Sequence, residues 1–257
     1  MFGNKLYVAT FQGKGLSLLT RGSTTATPIE LPADDPDGEP NCNSIFVVDR
    51  TLYVSCELFD DNFSPRGPGR VYIVDAATGA VKPDLTVTLA RQNPFGLFEQ
   101  IPAGAPHAGD LLISAVGDFT PASGCIERVA TRPAPADAGC VLEYAAVGGY
   151  ATRVAFDVAP GVAMMWAAVA TPAPPPIYAR GDLRGYDLML GSLWDAPISP
   201  SSQAVADVAQ CPTGEVVVLD ATMNANGFRV YENGVEKTTE PMPIGLGSFS
   251  AHGLVCY

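Results

Sequence analysis

The sequence contains few histidines and few basic residues, and these shortages exclude several kinds of site. It has 2 His in 257 residues, with 15 Lys and Arg against 27 Asp and Glu, for a net charge of −12. Neither a multi-histidine zinc site nor a compact Ser-His-Asp triad is expected from so few histidines. Nucleic acid is excluded as a partner, because binding the phosphate backbone requires a basic face.

Long apolar runs and nucleotide-binding motifs are missing as well. No run reaches the roughly 18 apolar residues of a membrane-spanning helix, so no membrane span is predicted. Neither a G-x-S-x-G elbow nor a phosphate-binding loop occurs. Charged residues make up only 16% of the chain, whereas 26 Gly and 23 Pro are present. Such a composition is typical of short strands joined by many turns.

A strand–loop–Gly–strand unit recurs along the chain at intervals of about fifty residues, as expected of a repeat architecture. Five segments align as the second strand of each unit, and five glycines precede the next strand. The segments are LYVAT (6–10), LYVSC (52–56), LLISA (111–115), MWAAV (165–169) and VVVLD (216–220), and the glycines are Gly15, Gly69, Gly124, Gly185 and Gly227. An unrelated all-β sandwich with coincidental spacing is the alternative.

The two ends of the chain complement each other. Residues 250–257 look like an opening strand, and residues 1–32 look like a unit that lacks one. We therefore predict an all-β, five-bladed β-propeller of four-stranded antiparallel blades, closed by N- and C-terminal strands that share one blade. It forms a single domain over residues 1–257, with blades at approximately 247–257 with 1–40, 41–90, 91–148, 149–200 and 201–246.

Several short motifs resemble the YVTN/NHL-type β-propeller repeat proteins. PFGL (94–97) matches the opening strand of that repeat, LYVA (6–9) and LYVS (52–55) match its second strand, and DAATG (75–79) matches its D-x-x-T-G turn. The resemblance implies a propeller with a central channel and implies no single function.

In such a propeller, the loops before the first strand and between the second and third strands share one face, which is the usual binding surface. That placement would bring one or two polar side chains per blade to the channel mouth, as a small-molecule site requires. A solvated rim without a ligand is the alternative. The predicted ligand-binding residues are Asn43, Glu57, Asn93, Asp118, Arg153, Gln203, Asp220 and His252.

The acidic loop ADDPDGEP (33–40) and the following loop around residue 60 offer hard oxygen ligands and a sharp turn. Ca²⁺ sites use both features, although the full EF-hand ligand set is absent. A solvated acidic loop is the favoured interpretation and a Ca²⁺ site the alternative. Ca²⁺ is the one cofactor considered, with the metal ligands Asp35, Asp37, Glu39, Asp60 and Asp61.

The six cysteines indicate an oxidising compartment. We expect an extracytoplasmic protein (periplasmic, secreted or surface-anchored) from which a targeting segment has been removed. Cys42 and Cys56 lie at one end of a hairpin, and Cys125 and Cys140 flank residues 126–139. By elimination the third pair is Cys211 with Cys256.

The favoured function is non-enzymatic binding of a ligand or protein partner on the loop face. Two alternatives stay open. One is a carbohydrate-binding lectin with aromatic platforms at Phe59, Phe63, Phe119 and Tyr178. The other is a metal-assisted hydrolase of lactonase or glycosidase type at the channel mouth, although the facing carboxylate pair of a glycosidase is not evident.

Overall fold

We describe the protein from a computed structural model. The described residues are 2–32, 37–60, 62, 64–159, 162–172, 179–194, 205–221, 226–232 and 235–243. Within them, nineteen strands form five antiparallel sheets, accompanied by one short α-helix and one 3₁₀-helix. The chain divides into two compact units. The first comprises Met1–Gln100, Asp110–Phe119 and Ser123–Glu143, and the second comprises Ile101–Gly109, Thr120–Ala122 and Tyr144–Tyr257.

The first unit contains three sheets. The first sheet has three strands and the others four, each hydrogen-bonded in chain order. The strands are β1 (Lys5–Ala9), β2 (Gly15–Thr20) and β3 (Thr27–Glu30); β4 (Cys42–Val48), β5 (Thr51–Cys56), β6 (Arg70–Asp75) and β7 (Val87–Thr88), with a 3₁₀-helix at Pro83–Leu85; and β8 (Glu99–Gln100), β9 (Leu111–Ala115), β10 (Cys125–Ala130) and β11 (Ala136–Glu143).

The second unit contains two four-stranded sheets, again with strands in chain order, preceded by the helix α1 (Tyr144–Val147). Their strands are β12 (Tyr150–Ala159), β13 (Val162–Pro172), β14 (Ala179–Asp187) and β15 (Ser192–Leu193); and β16 (Val205–Gln210), β17 (Val216–Asp220), β18 (Gly227–Glu232) and β19 (Val235–Glu236).

Strand β5 shows why the sheets stack face to face. Side chains alternate between the two faces of a strand. Leu52 and Val54 join a buried cluster with Tyr7 and Leu16 of the first sheet, whereas Tyr53 joins a cluster with Leu111 of the third sheet. The middle sheet is therefore covered on both faces, which is why β5 reads as an almost continuous apolar run.

The turn at residues 75–79 follows the sequence prediction. Asp75 accepts hydrogen bonds from the backbone N–H groups of Ala77 (2.9 Å) and Thr78 (2.8 Å). Gly79 has φ +80°, a left-handed conformation that glycine adopts without steric cost. The side-chain cap and the glycine together form the turn that brings Val81 back beside Val74 of β6.

Two predicted disulfides are confirmed, Cys42–Cys56 and Cys125–Cys140. Each joins neighbouring antiparallel strands and contributes about 2–4 kcal/mol by restricting the unfolded chain. Together they point to an oxidising, extracytoplasmic environment. Cys211 is also disulfide-bonded, and its predicted partner, Cys256, lies outside the described residues.

Two strand predictions are wrong in their bounds. Residues 93–98, predicted as an opening strand, are irregular, and β8 is limited to Glu99–Gln100. Asn93 has φ +57°, which is not a strand conformation. The N–H of Phe98 donates to the side-chain hydroxyl of Ser44 (3.2 Å) and not to a backbone carbonyl of a neighbouring strand. Gly185, predicted to precede a strand, lies inside β14, where the rings of Trp166 and Trp194 lie against its Cα.

The predicted ring closure rests on residues outside the described ranges. The first sheet has three strands where each of the other sheets has four. The segment predicted to supply the missing strand is 250–257. Among the described helices, none combines the length and hydropathy needed to cross a bilayer.

Candidate functional site

A polar group lies at one end of the second sheet, where β5 ends and the loop before β8 begins. Asn43 comes from β4, Ser55 from β5, and Glu57 follows β5 directly. The backbone holds this end closed, because the N–H of Glu57 donates to the carbonyl of Asn41 at 3.1 Å. We call Asn43, Ser55, Glu57, Asn93 and Pro94 the Glu57 group.

Asn43 connects the members of the group. Its Nδ2 donates to Glu57 Oε1 at 2.5 Å and to the carbonyl of Pro94 at 3.0 Å. Its Oδ1 accepts from the Ser55 hydroxyl at 2.7 Å. Since a carbonyl can only accept, the bond to Pro94 fixes which end of the amide carries the nitrogen. All the hydrogen-bonding groups of the Asn43 amide are thereby engaged.

Glu57 is fully buried, with 0% of its surface exposed. Its Oε2 has no hydrogen-bond partner among the described residues. Burial raises the pKa of the Glu57 carboxyl from 4.5 to about 8, and the hydrogen bond from Asn43 acts in the opposite direction. An acidic group with no compensating cation in a buried position is costly, and such groups are concentrated at functional sites.

Asn93 is the second member of the group with an unsatisfied acceptor. It is fully buried and has φ +57°. Its Nδ2 donates to the carbonyl of Gly117 at 3.0 Å, and its Oδ1 has no partner among the described residues. The left-handed backbone is a conformation that Asn tolerates better than most residues. Two buried oxygen acceptors in one group are therefore left open.

The loops on either side of Asn93 present an aromatic pair to solvent. The N–H of Val116 donates to the carbonyl of Asn93 (2.9 Å), which ties residues 92–96 to residues 116–119. The rings of Phe95 and Phe119 meet edge to face at 5.8 Å, and the two residues are 46% and 43% exposed. Asp118 is also exposed and accepts a hydrogen bond from the Ser123 hydroxyl.

The structure thus brings together three predicted ligand-binding residues, Asn43, Glu57 and Asn93, with Asp118 on the adjoining loop. Glu57 and Asn93 are fully buried, so the alternative of a solvated rim does not describe them. The cause is the packing of residues 93–98 against β4 and β9, recorded by the N–H of Gly96 donating to the carbonyl of Ser114 at 3.3 Å.

In the second unit, the predicted site residues Arg153 and Asp220 each belong to an ion pair. Arg153 donates to Asp207 at 2.8 Å. Asp220 is fully buried and accepts from Arg229 at 2.6 Å, and Arg229 also donates to Glu236 at 2.5 Å. These carboxylates are compensated by guanidinium groups, which is how buried charges are normally stabilised.

The acidic loop is described only in part. Asp37 accepts from the N–H of Glu39 at 2.8 Å, a local turn contact. Asp60 accepts from the N–H groups of Asn62 and Ser64, both at 2.9 Å, and pairs with Arg66. These hydrogen bonds, led by that of Ser64, hold the pKa of Asp60 below its usual value. Both carboxylate oxygens of Asp60 are engaged within its own loop.

Among the described residues, one group of ligand atoms lies close enough to hold a metal ion, that of Cys125, Cys140 and Glu143. The two sulfurs are joined in a disulfide, so neither can act as a thiolate ligand. Glu143 in turn pairs with Arg91 at 3.0 Å. The disulfide and the ion pair therefore give these three residues a structural role within the first unit. The predicted site residues Gln203, His252, Asp35 and Asp61 lie outside the described residues, as do Phe63 and Tyr178.

Sequence reasoning missed Glu127. It is fully buried on β10 and accepts from the N–H groups of Ala90 (2.9 Å) and Arg91 (2.6 Å). Burial raises the pKa of the Glu127 carboxyl to about 7, against the opposing effect of these two bonds. A charged residue in the middle of the strand CIERVA was the available signal, because Cys125 and Val129, the residues on the same face of the strand, are apolar.

Comparison with solved structures identifies the architecture. The chain resembles the Dos1 propeller with a TM-score of 0.51 at 10% identity, covering 93% of this chain and 69% of that one. It also resembles PorZ, a bacterial surface component of the type-IX secretion system of Porphyromonas gingivalis. Here the TM-score is 0.51 at 14% identity, over 91% of this chain and 32% of that one. The fold is a β-propeller.

Neither likeness goes beyond the fold, since both identities are low. A candidate gluconolactonase is similar at a TM-score of 0.49 and 15% identity, over 90% of this chain and 72% of that one, which is too distant to carry an argument. No protein-family model matches the chain, and no curated protein matches it.

Proposed function

We propose that this protein is a non-enzymatic, extracytoplasmic β-propeller that binds a ligand at the loop face formed around the Glu57 group. The observation that carries the proposal is a pair of buried acceptors, Glu57 Oε2 and Asn93 Oδ1, that have no partner in the described part of the chain. Leaving a buried polar atom unpaired costs about 1–3 kcal/mol, so such atoms call for a role. A ligand that donates hydrogen bonds to both acceptors would supply it.

Binding is favoured over catalysis by the composition of the group. It contains one carboxyl group, two carboxamides, a hydroxyl and a backbone carbonyl, without a histidine or a lysine. A hydrolytic site would need a second acid or base, or an activated nucleophile, within reach of the first. Recognition needs only fixed acceptors, which this group has.

A thermal-shift screen of the intact protein tests the proposal. The compounds should cover amines, polyols, organic acids and lactones, and the variants are Glu57→Gln and the matched control Glu143→Gln, an exposed acid of the same unit. A ligand of the site raises the melting temperature of the wild type and of the control, and raises that of Glu57→Gln much less. Hits that stabilise all three proteins equally, or no hit in any class, would contradict the proposal.

Glycan binding is a second candidate, and one observation favours it. The exposed rings of Phe95 and Phe119 form a surface of the kind on which a sugar ring can stack. Phe59, another predicted platform, is 5% exposed and packs beside Phe11. A glycan array probed with wild type and with Phe119→Ala tests this candidate, and binding that survives the substitution would count against it.

We also propose that the repeats are of YVTN/NHL type, that the ring has five blades, as the aligned repeats indicate, and that the C-terminal segment closes it. The three strands of the first sheet support this, as do Leu6 and Val8 of β1, which are 39% and 45% exposed. Deleting residues 250–257 should then expose strand edges and cause aggregation or a lower melting temperature. An unchanged melting temperature would contradict closure by this segment.

The Ca²⁺ alternative for the acidic loop has a simple test. If the loop holds the ion, chelator should lower the melting temperature, because an ion that binds only the folded state stabilises it. The engaged carboxylate of Asp60 supports the solvated loop instead. Adding Ca²⁺ back to the chelated sample should restore the melting temperature if the loop holds the ion, and should change nothing if the loop is only solvated.

A further inference from the structure

The Glu57 group has used three of its four carboxamide hydrogens. Asn43 Nδ2 donates to Glu57 and to Pro94, and Asn93 Nδ2 donates to Gly117. Among the described residues, neither Glu57 Oε2 nor Asn93 Oδ1 has a partner. The amide oxygen accepts at any pH, and Glu57 Oε2 accepts once the carboxyl is ionised. A ligand that satisfies both oxygens must therefore bring two or more donors, together with a positive charge that favours the carboxylate.

The charge of the group points in the same direction. The pKa of Glu57 is set by its burial and by Asn43, and no charged side chain of the described residues contributes to it. The described part of the chain places no second carboxylate, histidine or thiolate in a metal-binding cluster with it. One uncompensated carboxylate matches one positive charge, whereas Ca²⁺ usually takes several carboxylates among six to eight oxygen ligands.

The surroundings of the group indicate what the cation carries. Asn43 Nδ2 donates both to Glu57 and to the carbonyl of Pro94, and Phe95 is the next residue after Pro94. The centroids of the Phe95 and Phe119 rings are 5.8 Å apart. Both rings are partly exposed, so an apolar substituent can cover them. The net charge of −12 would also attract a cation from solution.

From these observations we infer that the Glu57 group binds the ammonium group of a small amine that carries an apolar substituent. The inference rests on the proposed function and names its ligand class. Two ammonium hydrogens would be donated to Glu57 Oε2 and Asn93 Oδ1, and the substituent would lie against Phe95 and Phe119. The same ammonium chemistry is found in a free amine and in a lysine side chain of a polypeptide.

Binding of an ammonium group has a proton signature. In the empty site the carboxyl is mostly protonated at neutral pH, since its pKa is about 8. The bound ammonium favours the carboxylate, so the carboxyl proton is released to the buffer as the ligand binds. We expect release of close to one proton per ligand near pH 7 and almost none near pH 9, while the amine, with a pKa of about 10, stays charged.

Titration calorimetry in buffers of different ionisation enthalpy measures both affinity and proton release. The probes are 2-phenylethylammonium, butylammonium, the neutral 2-phenylethanol, and N-acetyl-lysine methylamide, which presents the amine as a polypeptide does. The first should bind more tightly than butylammonium, and the alcohol should bind far more weakly. Glu57→Gln should weaken 2-phenylethylammonium about 10- to 100-fold, as expected for loss of a charge-assisted hydrogen bond.

Phe119→Ala provides a second variant that leaves the polar group untouched. It should reduce the preference for 2-phenylethylammonium over butylammonium, and it should leave the proton release unchanged. Tighter binding of the lysine derivative than of the free amines would identify a polypeptide as the source of the ammonium group. Equal affinity for the alcohol and the amine, or an unchanged affinity in Glu57→Gln, would overturn the inference.

The proposed function and this inference can fail separately. If no amine binds while sugars or Ca²⁺ stabilise the wild type and not Glu57→Gln, the binding role stands and the ammonium class is wrong. If no compound of any class depends on Glu57, both are wrong. A cooperative melting transition of Glu57→Gln is the control, because it shows that the variant is folded and that a loss of binding is not due to unfolding.

Discussion

Two buried acids of the second unit and two of the first are stabilised in different ways. A third buried acid of the second unit, Asp182, has Arg184 at 3.8 Å and one carboxylate oxygen without a partner among the described residues. In the second unit, Asp207 and Asp220 are paired with Arg153 and Arg229 at 2.8 and 2.6 Å. In the first unit, the fully buried Glu57 accepts from a neutral carboxamide. Glu127, also fully buried, accepts from two backbone N–H groups. Burial raises the pKa of both glutamates, to about 8 and about 7.

The difference separates acids whose carboxylates are engaged within the fold from an acid that we propose as a ligand-binding group. A compensated pair satisfies both partners, so removing one leaves a buried charge. Glu127 is satisfied by backbone donors and joins residues 90–91 to β10. Glu57 alone among these four acids has a carboxylate oxygen without a partner among the described residues. That open oxygen is the reason to place the ligand there.

The largest effect should come from breaking a compensated pair. Arg229→Ala leaves Asp220, which is fully buried, without its cation, and removes the bond to Glu236 as well. We expect a loss of about 3–5 kcal/mol in the free energy of unfolding. Urea denaturation measures it.

The double variant Arg229→Ala with Asp220→Asn should recover part of this loss, because the uncompensated charge is gone. Arg132→Ala is the matched control, since Arg132 and Asp49 form a pair in which both side chains are 80% exposed. That exposed pair should contribute almost nothing to stability. Equal losses for Arg229→Ala and Arg132→Ala would show that compensation in the second unit has no structural weight.

The repeat pattern predicted the fold well because it depends on local signals. Alternating apolar strands, turn residues such as Asp75 and Gly79, and the recurring glycines are all visible in one sequence. The first and last residues of the strands were predicted less well where contacts between distant parts of the chain determine them. Residues 93–98 were predicted as a strand from their match to the opening strand of the repeat, but Asn93 and Pro94 direct that backbone into contacts with β4 and β9 instead.

The proximity of three candidate site residues was predicted, and their burial was not. Equivalent positions in successive repeats placed Asn43, Glu57 and Asn93 on one face, and the structure joins them. Their burial could not be read from the sequence, because it results from loop packing between sheets. Glu127 was overlooked for the same reason: its partners, the N–H groups of Ala90 and Arg91, are 36 or more residues away along the chain.

A moderate effect is expected at Glu127, the backbone-satisfied acid. Glu127→Gln keeps one carbonyl oxygen and replaces the other with an NH₂ group that faces an N–H donor. At least one of the bonds to Ala90 and Arg91 is therefore lost, and we expect a cost of about 1–2 kcal/mol. Hydrogen exchange at the amides of residues 90 and 91 should become faster. Unchanged exchange there would mean that this carboxylate does not hold the loop.

The smallest effect on stability should be that of Glu57→Gln below about pH 4.5, where the carboxyl is protonated in both the folded and the unfolded state and Gln is isosteric with it. We expect a change of less than about 1 kcal/mol at about pH 4. The informative quantity is the pH dependence. Because the folded pKa of about 8 exceeds the ordinary value of 4.5, the folded state holds a proton that the unfolded state has lost. Wild-type stability should therefore fall as pH rises from 4.5 to 8.

Two other acids also make the wild type less stable as the pH rises over part of this range. One is Glu127, with a pKa of about 7, and the other is Asp182, because burial raises its pKa as well. Both are present in wild type and variant, so the difference between their stability curves isolates Glu57. The wild-type curve should therefore fall relative to that of Glu57→Gln over the whole window, and the variant should become progressively more stable than the wild type from about pH 4.5 to about pH 8. Parallel curves from pH 4.5 to 8 would mean that Glu57 is ionised in the empty site, and the proton release expected on amine binding would disappear with it.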